Sequence, residues 1–262
     1  MAKKIIEDKR IYSRKRKIIL RKWFTVLWIV FVVVLFGSII WGLNYFYNSN
    51  YFKIKNIEIK GVNYYKPEEI KGSIRDLNGA NIFEVNKKKY EDILIINFTR
   101  IKKAELQKIF PDKLTINVIE RLPFLVIFYK NDYFLIDNEG VVIEKITDNK
   151  ERYKDLLIVK DTINYMPVLG EKIAKKNVIS SAIIYNSFSE EIKGRIKYAS
   201  ISNEFSGDII FETTDSKIII YGNSNEITKK NIVLEQILKD LKNENIYYSI
   251  IDLRISDNPI VK

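Results

Sequence analysis

The chain has 262 residues, with 44 Lys or Arg against 33 Asp or Glu, a formal charge of +11, and neither cysteine nor histidine. Without cysteine it is not stapled by disulfides; without histidine it has no His-based metal site, no Ser-His-Asp or Cys-His triad, and not the usual general base near neutral pH. Nor does the charge mark a nucleic-acid domain: residues 1–22 hold ten basic and two acidic residues, which leaves 34 against 31 for all the rest, so the surplus sits in a tail and not on a folded face.

That basic tail, residues 1–22, leads into Trp23 to Leu43, a stretch of 21 residues with no charge. As a helix it would measure about 31 Å, matching a hydrocarbon core of ~30 Å. A buried helix of a soluble domain is seldom this apolar on every face. A cleaved signal peptide has a shorter apolar run and a small-residue cleavage site, whereas Asn44-Tyr45-Phe46-Tyr47-Asn48 follows here. The stretch is expected to be an uncleaved transmembrane signal anchor over 23–43. Ten basic residues on its N-terminal side place that side in the cytoplasm, and Trp23, Phe24, Tyr45, Phe46 and Tyr47 suit the two headgroup levels. Residues 44–51 then form a short stalk outside.

Beyond the stalk, Tyr51 to Lys60 alternates as a strand that ends at Gly61. Pro67 with Glu68 and Glu69 starts a helix carrying Ile70, Ile74 and Leu77, broken at Asn78-Gly79. Asn86 caps a second helix with Tyr90, Ile93 and Leu94 on one face. Ile101 to Ile109 and Leu114 to Ile119 are strands joined by Phe110-Pro111-Asp112-Lys113, a turn preset by proline. Strands follow at Phe124 to Tyr129, Tyr133 to Ile136 and Val141 to Ile143. Asn177 to Phe188 is a helix with Val178, Ile179, Ala182, Ile183 and Tyr185 as its sheet-facing set. Strands are expected at 195–203, 207–213 and 217–221. In the helix Ile227 to Leu241, the apolar stripe is Ile227, Leu234, Ile237, Leu238 and Leu241, with Lys229, Lys230, Glu235, Lys239 and Asp240 largely off it. The last strand runs from Ile246 to Ile255.

Several short motifs fall in a familiar order. Ile59-Lys60-Gly61-Val62, Asn81-Ile82-Phe83, Ile101-Lys102-Lys103-Ala104, Phe110-Pro111-Asp112-Lys113-Leu114 and Glu120-Arg121-Leu122-Pro123 resemble the POTRA domain of the FtsQ/DivIB family of bacterial cell-division proteins. Tyr133 to Gly140, Met166-Pro167-Val168-Leu169-Gly170 and Ile251-Asp252-Leu253-Arg254 resemble segments of that family's β domain. Asp112 departs from the Asn that the family often has after the turn proline. The chain ends at Lys262 without the long polar tail of some members, so no function resting on such a tail is carried over.

The resemblance implies an α+β fold: one N-terminal transmembrane helix, a POTRA domain (β-α-α-β-β) at 52–121, and a mostly antiparallel β domain with covering helices at 122–258, followed by a short tail at 259–262. It implies a non-enzymatic bitopic scaffold, single-pass type II, at the division septum. Its partners would be FtsB/DivIC-like and FtsL-like proteins and, through them, FtsW/FtsI-type septal synthases, with no cofactor. A POTRA-bearing transport module would need a C-terminal barrel, and an anchored wall enzyme would need catalytic residues. No Ser-x-x-Lys or Gly-x-Gly occurs. The adjacent acids Glu68-Glu69 and Glu190-Glu191 suit helix starts, and Lys87-Lys88-Lys89 and Lys102-Lys103 suit a soluble charged surface.

The expected partner-binding residues are Tyr248, Ile250, Ile251, Asp252, Leu253, Arg254 and Ile255. On an extended strand, Ile251, Leu253 and Ile255 turn to the core, while Ile250, Asp252 and Arg254 face the other way. Coming last in the chain, this strand is expected to form a sheet edge open to a strand from a partner. Reporter fusions at Lys3 and Lys262 are expected to lie in opposite compartments; reporters in the same compartment would refute the single-span reading.

Overall fold

A computed structural model describes all residues except 1, 148, 149, 161, 162, 164, 174 and 203–206, and leaves the side chains of 2–21, 150 and 176 undescribed. In chain order the elements are α1 (Ala2–Tyr47), β1 (Asn56–Lys60), α2 (Pro67–Ser73), α3 (Lys87–Asn97), β2 (Ile101–Ile109), β3 (Lys113–Glu120), β4 (Pro123–Tyr129), β5 (Asp132–Asp137) and β6 (Val142–Ile146). They continue with β7 (Ile158–Lys160), α4 (Lys176–Ser187), α5 (Glu190–Arg195), β8 (Ile196–Ile201), β9 (Ile209–Thr213), β10 (Ile218–Gly222), α6 (Ile227–Asn243), β11 (Ile250–Asp252) and β12 (Ile260–Val261). One sheet has the order β1-β3-β2; the other, of nine strands, runs β12-β11-β10-β9-β8-β7-β4-β5-β6.

The chain divides into two compact units. The first gathers residues 1–58, 75–85 and 108–115. Its helix α1 holds a 26-residue stretch, Lys22–Tyr47, long and apolar enough to cross a membrane and with none of it buried. The helix runs on to Tyr47, and a 3-10 turn at Asn50–Phe52 follows, capped by the Ser49 hydroxyl. Residues 44–47, expected in a stalk, are therefore helical, and the strand expected from Tyr51 begins only at Asn56. Phe52, Ile54, Leu77 and Ile82 are buried in this unit.

The second unit gathers residues 59–74, 86–107 and 116–262. Pro67 opens α2 with Glu68 and Glu69 in its first turn, and Ile70 and Ile74 are fully buried. Asn86 caps α3, its side-chain oxygen accepting from the Lys89 amide at 3.3 Å, which satisfies one of the orphan donors of a helix start. Gly61 sits at φ +81°, where a Cβ would run into the Val118 carbonyl. The turn this allows lets the Glu120 carboxylate accept from the amides of Asn63 and Tyr64 at 3.0 and 3.1 Å, and so places the Tyr64 ring.

Five of the eight strand pairings in the nine-stranded sheet are antiparallel, and β4–β7, β7–β8 and β10–β11 are parallel. Alternating residues of β4, β5, β8, β9, β10 and β11 turn Leu125, Ile127, Phe134, Ile136, Ala199, Phe211, Ile219, Tyr221 and Ile251 into one core with Val178, Ala182 and Ile184 of α4 and Leu234 and Leu238 of α6. Phe188 meets Phe211 and Tyr221 edge-on, with centroids 5.2 and 5.9 Å apart, the arrangement ring quadrupoles favour. The opposite face, near β4 to β6, buries Val126, Leu135, Ile143 and Ile146 under Tyr153 and Leu156.

Three expectations need correction here. Ile183 points to solvent and Ile184 to the core, because 178, 181, 182 and 184 share the buried arc of α4. β7 lies in a stretch for which no element is expected, whereas the helix start expected at Glu190 and Glu191 is that of the short helix α5, where these acids pair with Lys193 and Arg195. The strand expected at 195–203 ends at Ile201, and its last residue, Asn203, lies outside the described residues.

A buried cation ties residues 99–100 to β6. Arg100, 4% exposed, donates from Nε to Glu144 at 2.9 Å and from Nη2 to the Tyr153 hydroxyl at 2.8 Å, under the Tyr64 ring at 3.8 Å. Burial works against its charge, but hydrogen bonding and attraction to Glu144 outweigh it and raise its pKa. Glu144 is the more exposed partner, with side-chain accessibility of 29% against 5% for Arg100. Glu144→Ala, which strands a buried guanidinium, is expected to cost about 3–5 kcal/mol in urea unfolding. Arg100→Met, which leaves a carboxylate that water can reach, should cost about 1.5 kcal/mol; the reverse order would refute the desolvation argument.

Candidate interaction surface

The expected edge strand is shorter and differently placed from what the alternation suggests. β11 is only Ile250–Asp252, and it lies between β10 and β12. On one side it runs parallel to β10, pairing Ile218 with Ile250 and Ile220 with Asp252. On the other, β12 returns antiparallel, pairing Ile251 with Val261 and Asp252 with Ile260. The edge is therefore β12, formed by residues expected as a tail. The physical cause is Ser256-Asp257-Asn258-Pro259, a run of turn formers, which reverses the chain and lets the Asn258 amide donate to the Ile255 carbonyl at 3.2 Å.

This rearranges the seven residues singled out from sequence. Ile251 and Leu253 are fully buried, as their alternation predicts, and Tyr248 is buried too, beneath the Lys217 ammonium 4.0 Å from its ring centroid. None of these three side chains is presented to a partner. Ile255, expected in the core, is 66% exposed because it sits in the turn. Ile250 and Asp252 are half-buried and Arg254 exposed. They lie on the face away from the helices, and Tyr247, 85% exposed, lies nearby in sequence.

Register extends that face across four strands. Ser200, Ile210, Ile220 and Asp252 form one row; Tyr198, Glu212, Ile218 and Ile250 form the next. All eight are half-buried. The result is a patch of four isoleucines rimmed by charge. At its corner Arg254 grips Asp252, with Nη2 to Oδ2 at 2.6 Å and Nε to Oδ1 at 3.1 Å, and lies 3.6 Å from Asp208. Burial pushes the Asp252 carboxyl upward, but hydrogen bonds from the Arg254 side chain and backbone overcome this and hold it below the usual range.

At the other edge of the sheet the first residues of β6 are engaged. The Val142 amide donates to Glu171 and its carbonyl accepts from Gly170, at 2.9 and 2.8 Å, so the segment containing Met166 to Gly170 straps this strand. The Ile143 carbonyl accepts from Thr99 Oγ1 at 2.6 Å. At the β12 edge, Lys262 and Ile250 exchange amide-to-carbonyl bonds of 2.9 and 3.1 Å. In an antiparallel ladder the next pair does not exchange such bonds, so the N–H and C=O of Val261 project outward.

Lys230 is a feature the sequence reading misplaced. Expected off the stripe of α6, it is 1% exposed; the 3, 4, 4 spacing of Ile227, Lys230, Leu234 and Leu238 in fact puts it on the stripe. Its Nζ donates to the carbonyls of Tyr221 at 2.9 Å and Asn223 at 3.2 Å, pinning the end of β10 beside the patch. Burial lowers its pKa, with Glu226, Asp208 and Asp252 opposing. Among the described residues, no group of three or more acids that could hold a metal ion occurs.

Comparison with known proteins supplies the context. Residues 52–121 match the FtsQ-type POTRA domain, and residues 126–254 match the C-terminal domain of cell division protein FtsQ/DivIB. This chain belongs to the FtsQ/DivIB family. Similar members include the cell division protein DivIB of Clostridium botulinum, 28% identical over 80% of this chain and 81% of its own. The cell division protein FtsQ of Chloroflexus aggregans is 26% identical over 76% and 71%, and DivIB of Clostridium acetobutylicum is 34% identical over 36% and 37%. The α+β architecture of this FtsQ/DivIB chain, an apolar N-terminal helix, a POTRA domain and a mostly antiparallel sheet with helices, agrees with the sequence reading. In its C-terminal domain, Lys230→Met should leave two carbonyls at the end of β10 without their donor, costing about 1–3 kcal/mol in urea unfolding; an unchanged midpoint would refute the pinning role.

Proposed function

We propose that this cell-division protein is a non-catalytic, type II membrane scaffold of the division septum. The basic tail holds the N-terminus in the cytoplasm, α1 crosses the membrane at 23–43, and the POTRA and β domains lie outside. There it assembles FtsB/DivIC-like and FtsL-like proteins and, through them, FtsW/FtsI-type septal synthases.

The observation that carries this reading is the asymmetry of the nine-stranded sheet. The start of β6 is strapped and bonded, whereas the opposite edge is a two-residue strand with outward backbone groups next to the exposed Tyr247 and Ile255. An extended segment of a partner adds to such an edge through main-chain bonds, and side-chain contacts set its specificity. Ile250, Asp252, Arg254 and Ile255 are the accessible members of the partner-binding set; Tyr248, Ile251 and Leu253 support them from inside.

The edge can be tested without disturbing the ladder beneath it. Val261→Pro removes only an outward donor, because the bonds to β11 are made by the flanking residues. In a pull-down with FtsB/DivIC-like protein, this variant, with unfolding unchanged, and Arg254→Glu, destabilised by the loss of its pairs with Asp252 and Asp208 but still folded, should each weaken retention about tenfold, or ~1.4 kcal/mol. Normal retention by both folded variants would refute the edge reading.

A further inference from the structure

We infer that the first compact unit carries a second membrane contact, an aromatic collar that lies in the headgroup layer of the bilayer crossed by α1. The inference rests on the reading of α1 as a membrane span. It starts from length: Lys22–Tyr47 is 26 residues, or about 39 Å of helix, against ~30 Å of hydrocarbon. The last turn, Tyr45 to Tyr47, therefore rises out of the apolar core into the interfacial layer, where tyrosine is favoured.

No free linker follows it. The side-chain amide of Asn81 donates to the Tyr47 carbonyl at 2.7 Å, and the Tyr47 ring stacks on Phe83 with centroids 5.1 Å apart. Phe83 in turn meets Phe110 at 5.1 Å. Rings from three separate stretches of chain are thus linked, one to the next, to the helix end. They are poorly covered: Phe110 is 55% exposed, its neighbour Ile109 45%, Tyr51 59% and Phe83 39%. Exposed apolar groups this close together are costly in water but matched to the headgroup boundary, where Phe83, Phe110 and Ile109 leave water and the rings of Tyr47 and Tyr51 keep their hydroxyls in the polar layer. Continuity with the last turn of α1 selects the occupant as lipid, and the exposed Lys53 suits anionic headgroups.

The absence of cysteine allows single nitroxide labels to be placed by substitution. The full chain would be reconstituted in vesicles of mixed zwitterionic and anionic phospholipid. Labels at Phe110→Cys, Tyr51→Cys, Val33→Cys and Ile255→Cys would be compared by power saturation with oxygen and with a water-soluble nickel chelate. Val33 should read as deep in lipid and Ile255 as aqueous, and the two collar labels should show an oxygen-to-nickel ratio several-fold above that of Ile255. Collar labels as aqueous as Ile255, with Val33 deep, would overturn the collar and leave the span intact. An aqueous Val33 would overturn both. A lipid-like reading lost on dilution with unlabelled protein would assign the patch to a second copy and overturn the lipid assignment.

Discussion

A guanidinium cannot stay buried alone, and the placement of Arg100 organises much of the second unit. Its Nε and Nη2 are taken by Glu144 and Tyr153, and its face is covered by Tyr64. Tyr64 is in turn set by the Gly61 turn and the Glu120 carboxylate. A second charge pair reinforces the first: Arg121 donates to the buried Asp137 at 2.6 Å, whose other oxygen caps the turn back into β6 by accepting from Glu139 and Val141. Both pairs join the POTRA segment to β5 and β6. Because desolvated pairs are costly to break from one side, these contacts constrain geometry more than they add stability.

Closing β6 in this way leaves the sheet with unequal ends. Long exposed edges invite indiscriminate pairing. Here the free edge is only β12, two residues long, with Lys262 and Arg254 near it as charged neighbours. The isoleucine patch beside it is likewise interrupted by Asp252, Glu212 and the hydrogen bond from Tyr198 to Glu212. Gly222, at φ +78°, keeps the end of β10 free of a Cβ that would crowd Arg254, and Lys230 fixes the same end from below. On the scaffold reading, such an edge suits one selected partner better than many.

Periodicity made the long elements legible: α2, α3, α6 and the strands β2 to β5 lie within a few residues of their expected bounds, because apolar spacing and Asn, Pro and Gly punctuation agree there. What failed depended either on contacts distant in sequence or on local signals that were outweighed by a competing pattern. β7 is three residues long and exists because β4 and β8 flank it. β11 was overextended because Ile255 continues an alternation that the following turn formers interrupt. Lys230 was assigned by its charge although its spacing placed it inside. Of the candidate site, the outward set Ile250, Asp252 and Arg254 was readable from alternation alone. That β12 covers β11 was not, since two residues carry no periodic signal.

On the scaffold reading, a two-residue edge must act with little help from long-range attraction. The part of the chain beyond the basic tail is nearly neutral, 34 basic against 31 acidic residues, and many of its surface charges are already paired, as in Lys102–Glu139 at 2.8 Å and Lys88–Asp92 at 2.7 Å. Electrostatic steering is therefore weak. Confinement supplies what charge does not. Partners anchored in the same bilayer meet at a high effective concentration, so a modest interface suffices when its geometry allows simultaneous engagement. A short, well-oriented edge then favours reversibility over affinity, which fits a scaffold that assembles and releases its partners at each division.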